Sequence, residues 1–278
     1  MTKTILIALG LLLSVVGAGC SDDGGSTPDT NKTLDAALDV GPAEAGADTN
    51  PAACMKGSDP EVVTFTTDDN VKLEADLYLS GQANAAAVVL LHMVPPANSR
   101  ANFPLAFVQA LRAKGFNVLN VDRRGAGNSA GNAMDAYLGD KGKLDAKAAV
   151  AFLAAHACAM NLDKLALVGA SNGTTTVLDY TVAADGDAQQ PSPAALVFLS
   201  GGTYTEAQNT LAANLSKLQL PLLFAYPASE ASWNDGFKTG APAGWQFKQY
   251  AGTAHGTGLF SDKPDSIADV ADFLAGAL

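Results

Sequence analysis

Histidine, cysteine and positive charge are all scarce in this chain. Its 278 residues include 3 His, 3 Cys and 17 Lys plus Arg. So few cysteines exclude a disulfide-dense scaffold. Three scattered histidines offer no cluster at metal-ligand spacing, so no metal and no organic cofactor is expected. Against 28 Asp plus Glu the net charge is −11. That excludes nucleic acid, and an anionic membrane surface, as the natural electrostatic partner. Long apolar runs are missing as well. The run over residues 5–16 is too short for the roughly 20 residues that span a bilayer.

The 48% hydrophobic content is enough for a substantial core, in one α/β domain or two small ones. The acidity is partly local. Residues 1–55 hold Lys3 and Lys32 against Asp22, Asp23, Asp29, Asp35, Asp39, Glu44 and Asp48, which leaves 15 basic and 21 acidic residues, or −6, for residues 56–278.

Residues 1–19 read as a signal peptide: an early lysine, a short apolar run, then small residues. Gly17-Ala18-Gly19-Cys20 resembles a bacterial lipobox, with Gly17 where that motif usually has leucine. The resemblance implies lipidation of Cys20 and a cell-envelope location, periplasmic or outer-surface, anchored to the membrane by that lipid alone. Plain secretion is the alternative. Residues 21–53 contain no aromatic residue and almost no large aliphatics. They cannot offset their ordering entropy and are expected to form a disordered tether. With Cys20 lipidated, Cys54 and Cys158 remain as a candidate disulfide in an oxidising compartment, or as two separate thiols.

From residue 56 the pattern becomes regular. Residues 61–67 and 72–79 alternate in polarity and predict two strands; 85–91, 116–121, 165–168, 194–199 and 221–226 are short, mainly apolar runs that predict buried strands, and 245–250 the last strand. Helices are predicted over 103–114, 144–155, 174–183, 205–218 and 267–277. Strands alternating with helices imply a mostly parallel sheet covered on both faces, with its site at the carboxyl ends of the strands.

The run 165–168 leads into Gly169-Ala170-Ser171-Asn172-Gly173 and then a helix. Strand, G-x-S-x-G, helix is the context that holds a serine hydroxyl above a sheet edge. A serine hydroxyl needs a base, and the base an orienting acid, in the chain order Ser, acid, His. Of His92, His156 and His255, only His255 follows Ser171. Glu230 comes just after the predicted strand 221–226 and is the preferred acid; Asp235 is the alternative. An oxyanion hole requires two backbone N–H groups. The Asn172 amide supplies one, and the Met93 or Val94 amide the other. His92 is read as a structural bridge between loop backbones.

These residues, with Leu90-Leu91-His92-Met93-Val94-Pro95, Asp122-Arg123-Arg124-Gly125-Ala126-Gly127-Asn128-Ser129 and Gly252-Thr253-Ala254-His255-Gly256-Thr257, resemble serine hydrolases of the α/β-hydrolase superfamily, in the branch of small esterase-like and dienelactone-hydrolase-like proteins. The resemblance implies an α/β-hydrolase fold over residues 56–278 and a small ester or related acyl compound as substrate, with thioester and peptide hydrolysis left open; a non-catalytic surface binding protein on the same fold is the alternative. Three departures stand out. Met93 occupies a position often held by glycine. Ser171 stands where dienelactone hydrolases use cysteine. Glu230 stands where most members have aspartate. The span between the strands 194–199 and 221–226 is too short for a large lid, so an open site is expected, with Tyr204, Trp233 and Phe237 as candidate walls.

Overall fold

The computed structural model describes residues 59–156, 158, 160–202, 205 and 207–278. The expected signal peptide, Cys20, the tether and Cys54 lie outside the described residues.

Eight strands form one sheet: β1 Glu61–Thr66, β2 Lys72–Tyr78, β3 Ala86–Leu91, β4 Asn117–Asp122, β5 Asn161–Ala170, β6 Ala195–Leu199, β7 Leu222–Pro227 and β8 Trp245–Tyr250. Their order is β1-β2-β4-β3-β5-β6-β7-β8. The pairs β1·β2 and β2·β4 are antiparallel, and all other pairs are parallel. The longer α-helices are α1 Leu105–Ala113, α3 Gly142–Ala155, α4 Asn172–Ala184 and α7 Asp265–Ala277. Three short ones are α2 Ala133–Tyr137, α5 Ala231–Asn234 and α6 Gly258–Asp262.

Strand periodicity explains the two cores. In β3, Ala87, Val89 and Leu91 join one cluster with Ala149, Leu153 and Val177 of α3 and α4. Val88 and Leu90 point the other way, to Phe107 and Leu111 of α1 and Val270 and Leu274 of α7. A strand flanked by helices on both faces is buried at every position, as β3, β4, β6 and β7 are; β3 and β6 are apolar throughout, whereas β4 carries Asn117, Asn120 and Asp122.

The predicted helix over 205–218 is a correction. Among the described residues of this span only Ala212–Lys217 is helical, as a 3₁₀ turn with Asn214 at φ −125°. Polar side chains divert the segment. The Asn209 N–H and its Nδ2 both donate to buried Asp179 Oδ1, at 2.7 and 2.9 Å. Asn214 Nδ2 donates to the Thr210 carbonyl. Such local bonds compete with the helical ladder.

Candidate active site

Each polar residue of the site leaves the carboxyl end of a strand. His92 follows β3, Arg123 follows β4, Ser171 follows β5, Ser200 follows β6, Glu230 lies just past β7 and His255 just past β8. The parallel register collects residues distant in sequence along one edge.

Ser171 sits between β5 and α4 with φ +49° and ψ −122°. This is a rare backbone conformation for a residue with a side chain and costs on the order of 1–3 kcal/mol. The turn is tight enough to require glycine on both sides. A Cβ on Gly169 would lie 2.5 Å from the Gly173 carbonyl oxygen, and one on Gly173 would overlap the Leu91 carbonyl oxygen. Neither obstacle is a flexible side chain. Gly173→Ala is therefore expected to destabilise the protein by more than about 3 kcal/mol, or to abolish soluble expression. A urea unfolding midpoint close to that of the parent is the contrary result.

His255 spans the gap between Ser171 and Glu230. Its Nε2 lies 2.7 Å from Ser171 Oγ, and its Nδ1 lies 2.6 Å from Glu230 Oε1. An ionised carboxylate can only accept, so Nδ1–H donates to Glu230 and Nε2 is free to accept the serine proton. Glu230 is 5% exposed, and its Oε2 is buried with no hydrogen-bond partner. Burial without competing donors strengthens the contact with His255. The His255 loop is pinned from below, where Gly256 N–H donates to Ser200 Oγ at 2.9 Å. Asn234 Nδ2 donates to the Glu230 carbonyl at 3.0 Å and steadies the acid.

Asp235, the alternative acid, points elsewhere. Its Oδ1 accepts from Tyr226 Oη at 2.7 Å and pairs with Lys238 Nζ at 2.7 Å. Lys238 holds its carboxyl below the usual range.

Asn172 begins α4, so its amide belongs to the unpaired N–H groups of a helix start. The facing loop brings Val94 to the cavity beside Ser171. Met93 lies behind this loop, and its thioether lies under Gly256, where an added Cβ would meet Sδ at 2.5 Å. The side chain that replaces the usual glycine thus supports the histidine loop. His92 is fully buried. It donates from Nδ1 to the Met93 carbonyl at 2.7 Å and accepts at Nε2 from the Arg123 N–H at 3.0 Å. This is the bridge between loop backbones expected from the sequence.

Burial and the neighbouring Arg123 charge depress the His92 pKa to about 3. The folded value lies below the unfolded value near 6.5. His92 therefore contributes stability that is fully present above pH 6.5 and is lost as pH falls from there towards 3. The loss amounts to a few kcal/mol. His92→Gln is expected to show a shallower fall in urea midpoint between pH 6.5 and 4.5 than the parent; an equally steep fall contradicts this assignment.

The cavity has a volume of about 280 Å³ and is lined by Val94, Tyr137, Ser171, Asn172, Ser200, Thr205, Trp233 and His255. Trp233 is a wall, as expected, and is 48% exposed. Phe237 is not; its ring stacks on Phe224 beneath the sheet edge, with centroids 6.1 Å apart. Tyr204 lies outside the described residues. Tyr137 and Ser200 escaped the sequence reading. The Asn132 side chain that caps the first turn of α2, 2.9 Å from Met134 N, was the local signal for the helix bearing Tyr137. Among the described residues no cluster of His, Cys, Asp or Glu is arranged to hold a metal ion.

A mostly parallel sheet covered on both faces, with a serine on a strained strand-to-helix turn, defines an α/β-hydrolase. Residues 82–223 match the family model described as serine aminopeptidase, S33, and the chain belongs to this family of serine hydrolases. The match spans β3 to the start of β7; it contains Ser171 and stops short of Glu230 and His255. Solved structures with similar folds include the esterase Pf2001 of Pyrococcus furiosus, with 18% identity, TM-score 0.61, and coverage of 78% of this chain and 90% of that one. A putative aryl esterase from Burkholderia cenocepacia is similar at 17% identity and TM-score 0.58, over 78% of this chain and 99% of that one. The esterase RhEst1 from Rhodococcus sp. ECU1013 is similar at 15% identity and TM-score 0.56, over 78% and 99%. At these identities the likeness is one of fold. No curated protein sequence matches the chain.

Proposed function

We propose that the protein hydrolyses small carboxylic esters through a Ser171-His255-Glu230 triad and an acyl-enzyme. The observation that carries this reading is the placement of His255 within hydrogen-bond reach of both Ser171 and Glu230. Ser171 Oγ attacks the acyl carbon while His255 Nε2 takes its proton. Glu230 orients the imidazole and stabilises the imidazolium. The carbonyl oxygen becomes an oxyanion, held by the Asn172 amide and by the amide of Val94 or Met93. Collapse expels the alkoxide, which leaves as the alcohol with the proton from His255. Water then attacks the acyl-enzyme with His255 again as base, releasing the acid and restoring Ser171.

The size of the cavity supports short acyl groups, since sites for drug-sized ligands run to about 300–1,000 Å³. Its half-exposed Trp233 and half-buried Tyr137 offer aromatic walls. A panel of p-nitrophenyl esters tests this: kcat/KM is expected to peak at acetate to butyrate and to fall for decanoate. Hydrolysis of aminoacyl amides with no ester turnover is the contrary result and would move the substrate class to peptides.

The location is proposed from the sequence alone. A lipidated Cys20 would hold the enzyme at the cell envelope, and a Cys54–Cys158 disulfide would staple the start of the domain to its body. Intact mass and non-reducing peptide mapping of the mature protein address both proposals. A mature chain that retains residues 1–19, or free thiols at both cysteines, is the opposing outcome.

A further inference from the structure

Arg123 is fully buried, and among the described residues no carboxylate lies within ion-pair distance of it. Its bonds go to neutral acceptors on three separate segments. Nη1 donates to the His92 carbonyl at 3.1 Å and the Met93 carbonyl at 3.4 Å, in the loop after β3. Nη2 donates to Asn172 Oδ1 at 3.0 Å and Thr176 Oγ1 at 2.7 Å, in the first two turns of α4. Nη2 also donates to the Ala136 carbonyl at 3.1 Å, in the helix that carries Tyr137. Nε is buried with no partner. The neighbouring Arg124, in contrast, is neutralised by Asp145 at 2.7 Å and Asp69 at 2.8 Å. Asp145 acts on Arg123 only at longer range, and a guanidinium buried without a carboxylate in contact is costly. Stability alone is a poor reason to keep one here.

The peptide geometry suggests what it does. The His92–Met93 and Met93–Val94 bonds are not among the cis peptides. In a trans unit the carbonyl and the N–H point in opposite directions. Drawing the His92 and Met93 carbonyls to one guanidinium turns the Met93 and Val94 N–H groups to the opposite side of the loop. Val94 lines the cavity beside Ser171. Two successive N–H groups turned the same way make an anion-binding concavity. The same guanidinium holds the side chain of Asn172, whose amide faces the site from the other wall. Its charge, which no carboxylate contacts among the described residues, also adds positive potential behind the position where negative charge develops.

We propose that Arg123 is the positioning residue of the oxyanion hole, locking the loop after β3 and the start of α4 into register and presenting a buried positive charge beneath them. The inference rests on the acyl-transfer reading of Ser171. It predicts a loss confined to the transition state, because the ester carbonyl of bound substrate carries little charge.

The test compares the full chain with Arg123→Met and Arg123→Lys, using p-nitrophenyl acetate and, as a probe of the tetrahedral state, butaneboronic acid. Arg123→Met is expected to lower kcat about 100-fold, the size of effect seen when one oxyanion donor is lost. KM should stay within about twofold, and the boronic acid should lose affinity by a similar factor to kcat/KM. A fluorophosphonate should still label Ser171 to completion, more slowly. A folded Arg123→Met protein with parental kcat and boronate affinity overturns the proposal, as does a loss that appears only in KM. If Arg123→Met does not fold, Arg123→Lys decides: the ammonium cannot reach all three segments, so at least a tenfold loss of kcat at constant KM supports the role, and parental kcat refutes it. Failure of the parent itself to label at Ser171 removes the acyl-transfer reading and is distinct from each of these results.

Discussion

Replacing Ser171 by alanine is expected to lower ester turnover by about 10⁴–10⁶-fold, to the level that binding and the oxyanion hole alone sustain. The expectation follows from geometry that leaves no second nucleophile in position. Ser200 also lines the cavity, but its hydroxyl accepts from the Gly256 N–H. No hydrogen bond joins it to His255. Thr205 donates its hydroxyl proton to the Tyr137 carbonyl at 2.6 Å. Among the described residues only Ser171 has its hydroxyl against an imidazole nitrogen whose other nitrogen faces a carboxylate. Stability should not fall with activity. Ser171 carries a strained φ of +49°, and its side chain makes no cap to α4, so the alanine variant should melt at or near the parental temperature. Turnover of the alanine variant within tenfold of the parent, measured after an affinity step that excludes contaminating esterases, contradicts the assignment.

The second large effect concerns the acid. Glu230→Gln keeps the volume and can still accept from His255 Nδ1, but it removes the charge that stabilises the imidazolium and no longer fixes the tautomer. Loss of about 10³–10⁴ in kcat is expected, by analogy with the aspartate-to-asparagine change in serine proteases. Asp235→Asn should leave kcat near the parental value, since Asp235 is engaged with Tyr226 and Lys238. Paired steady-state measurements separate the two carboxylates. Parental kcat in Glu230→Gln together with a large loss in Asp235→Asn would reverse the assignment. Glu230 closes a 3₁₀ step over residues 228–230 directly after β7, and from there its carboxylate reaches His255 Nδ1.

Much of this site could be read from the chain, for reasons that are local. Gly169, Ser171 and Gly173 announce a tight strand-to-helix turn, since a Cβ at either glycine meets backbone. Order along the chain then singles out His255, the only histidine after Ser171. Buried strands such as β3 and β6 carry their own signal, because a strand covered on both faces is mostly apolar. What could not be read depends on side chains that act across the fold. The leucines at 211, 215 and 218 have helical spacing, yet buried Asp179 captures Asn209 and opens the helix. Phe237 is aromatic and near the site in sequence, but a stack on Phe224 turns it inward. Arg123 sits beside Arg124 in one motif. Nothing local distinguishes the arginine that two carboxylates neutralise from the one that reaches three segments of the site.

Those long-range ties also account for how the site keeps its geometry. The His255 loop rests on Ser200 Oγ and on the Met93 thioether. The Glu230 backbone is held by Asn234. The loop after β3 is held by His92 and Arg123. Rigidity of the first contacts is supplied by this supporting layer, in keeping with the need to hold such groups close to productive geometry.

Covalent labelling reads the nucleophile itself, whatever the substrate. The full chain is incubated with a fluorophosphonate, digested, and mapped by mass spectrometry, alongside Ser171→Ala and His255→Ala. The account predicts one stoichiometric adduct on Ser171 in the parent, no adduct in Ser171→Ala, and labelling slowed by orders of magnitude in His255→Ala. Folded parent protein that carries no adduct, or carries it on a residue other than Ser171, would contradict it.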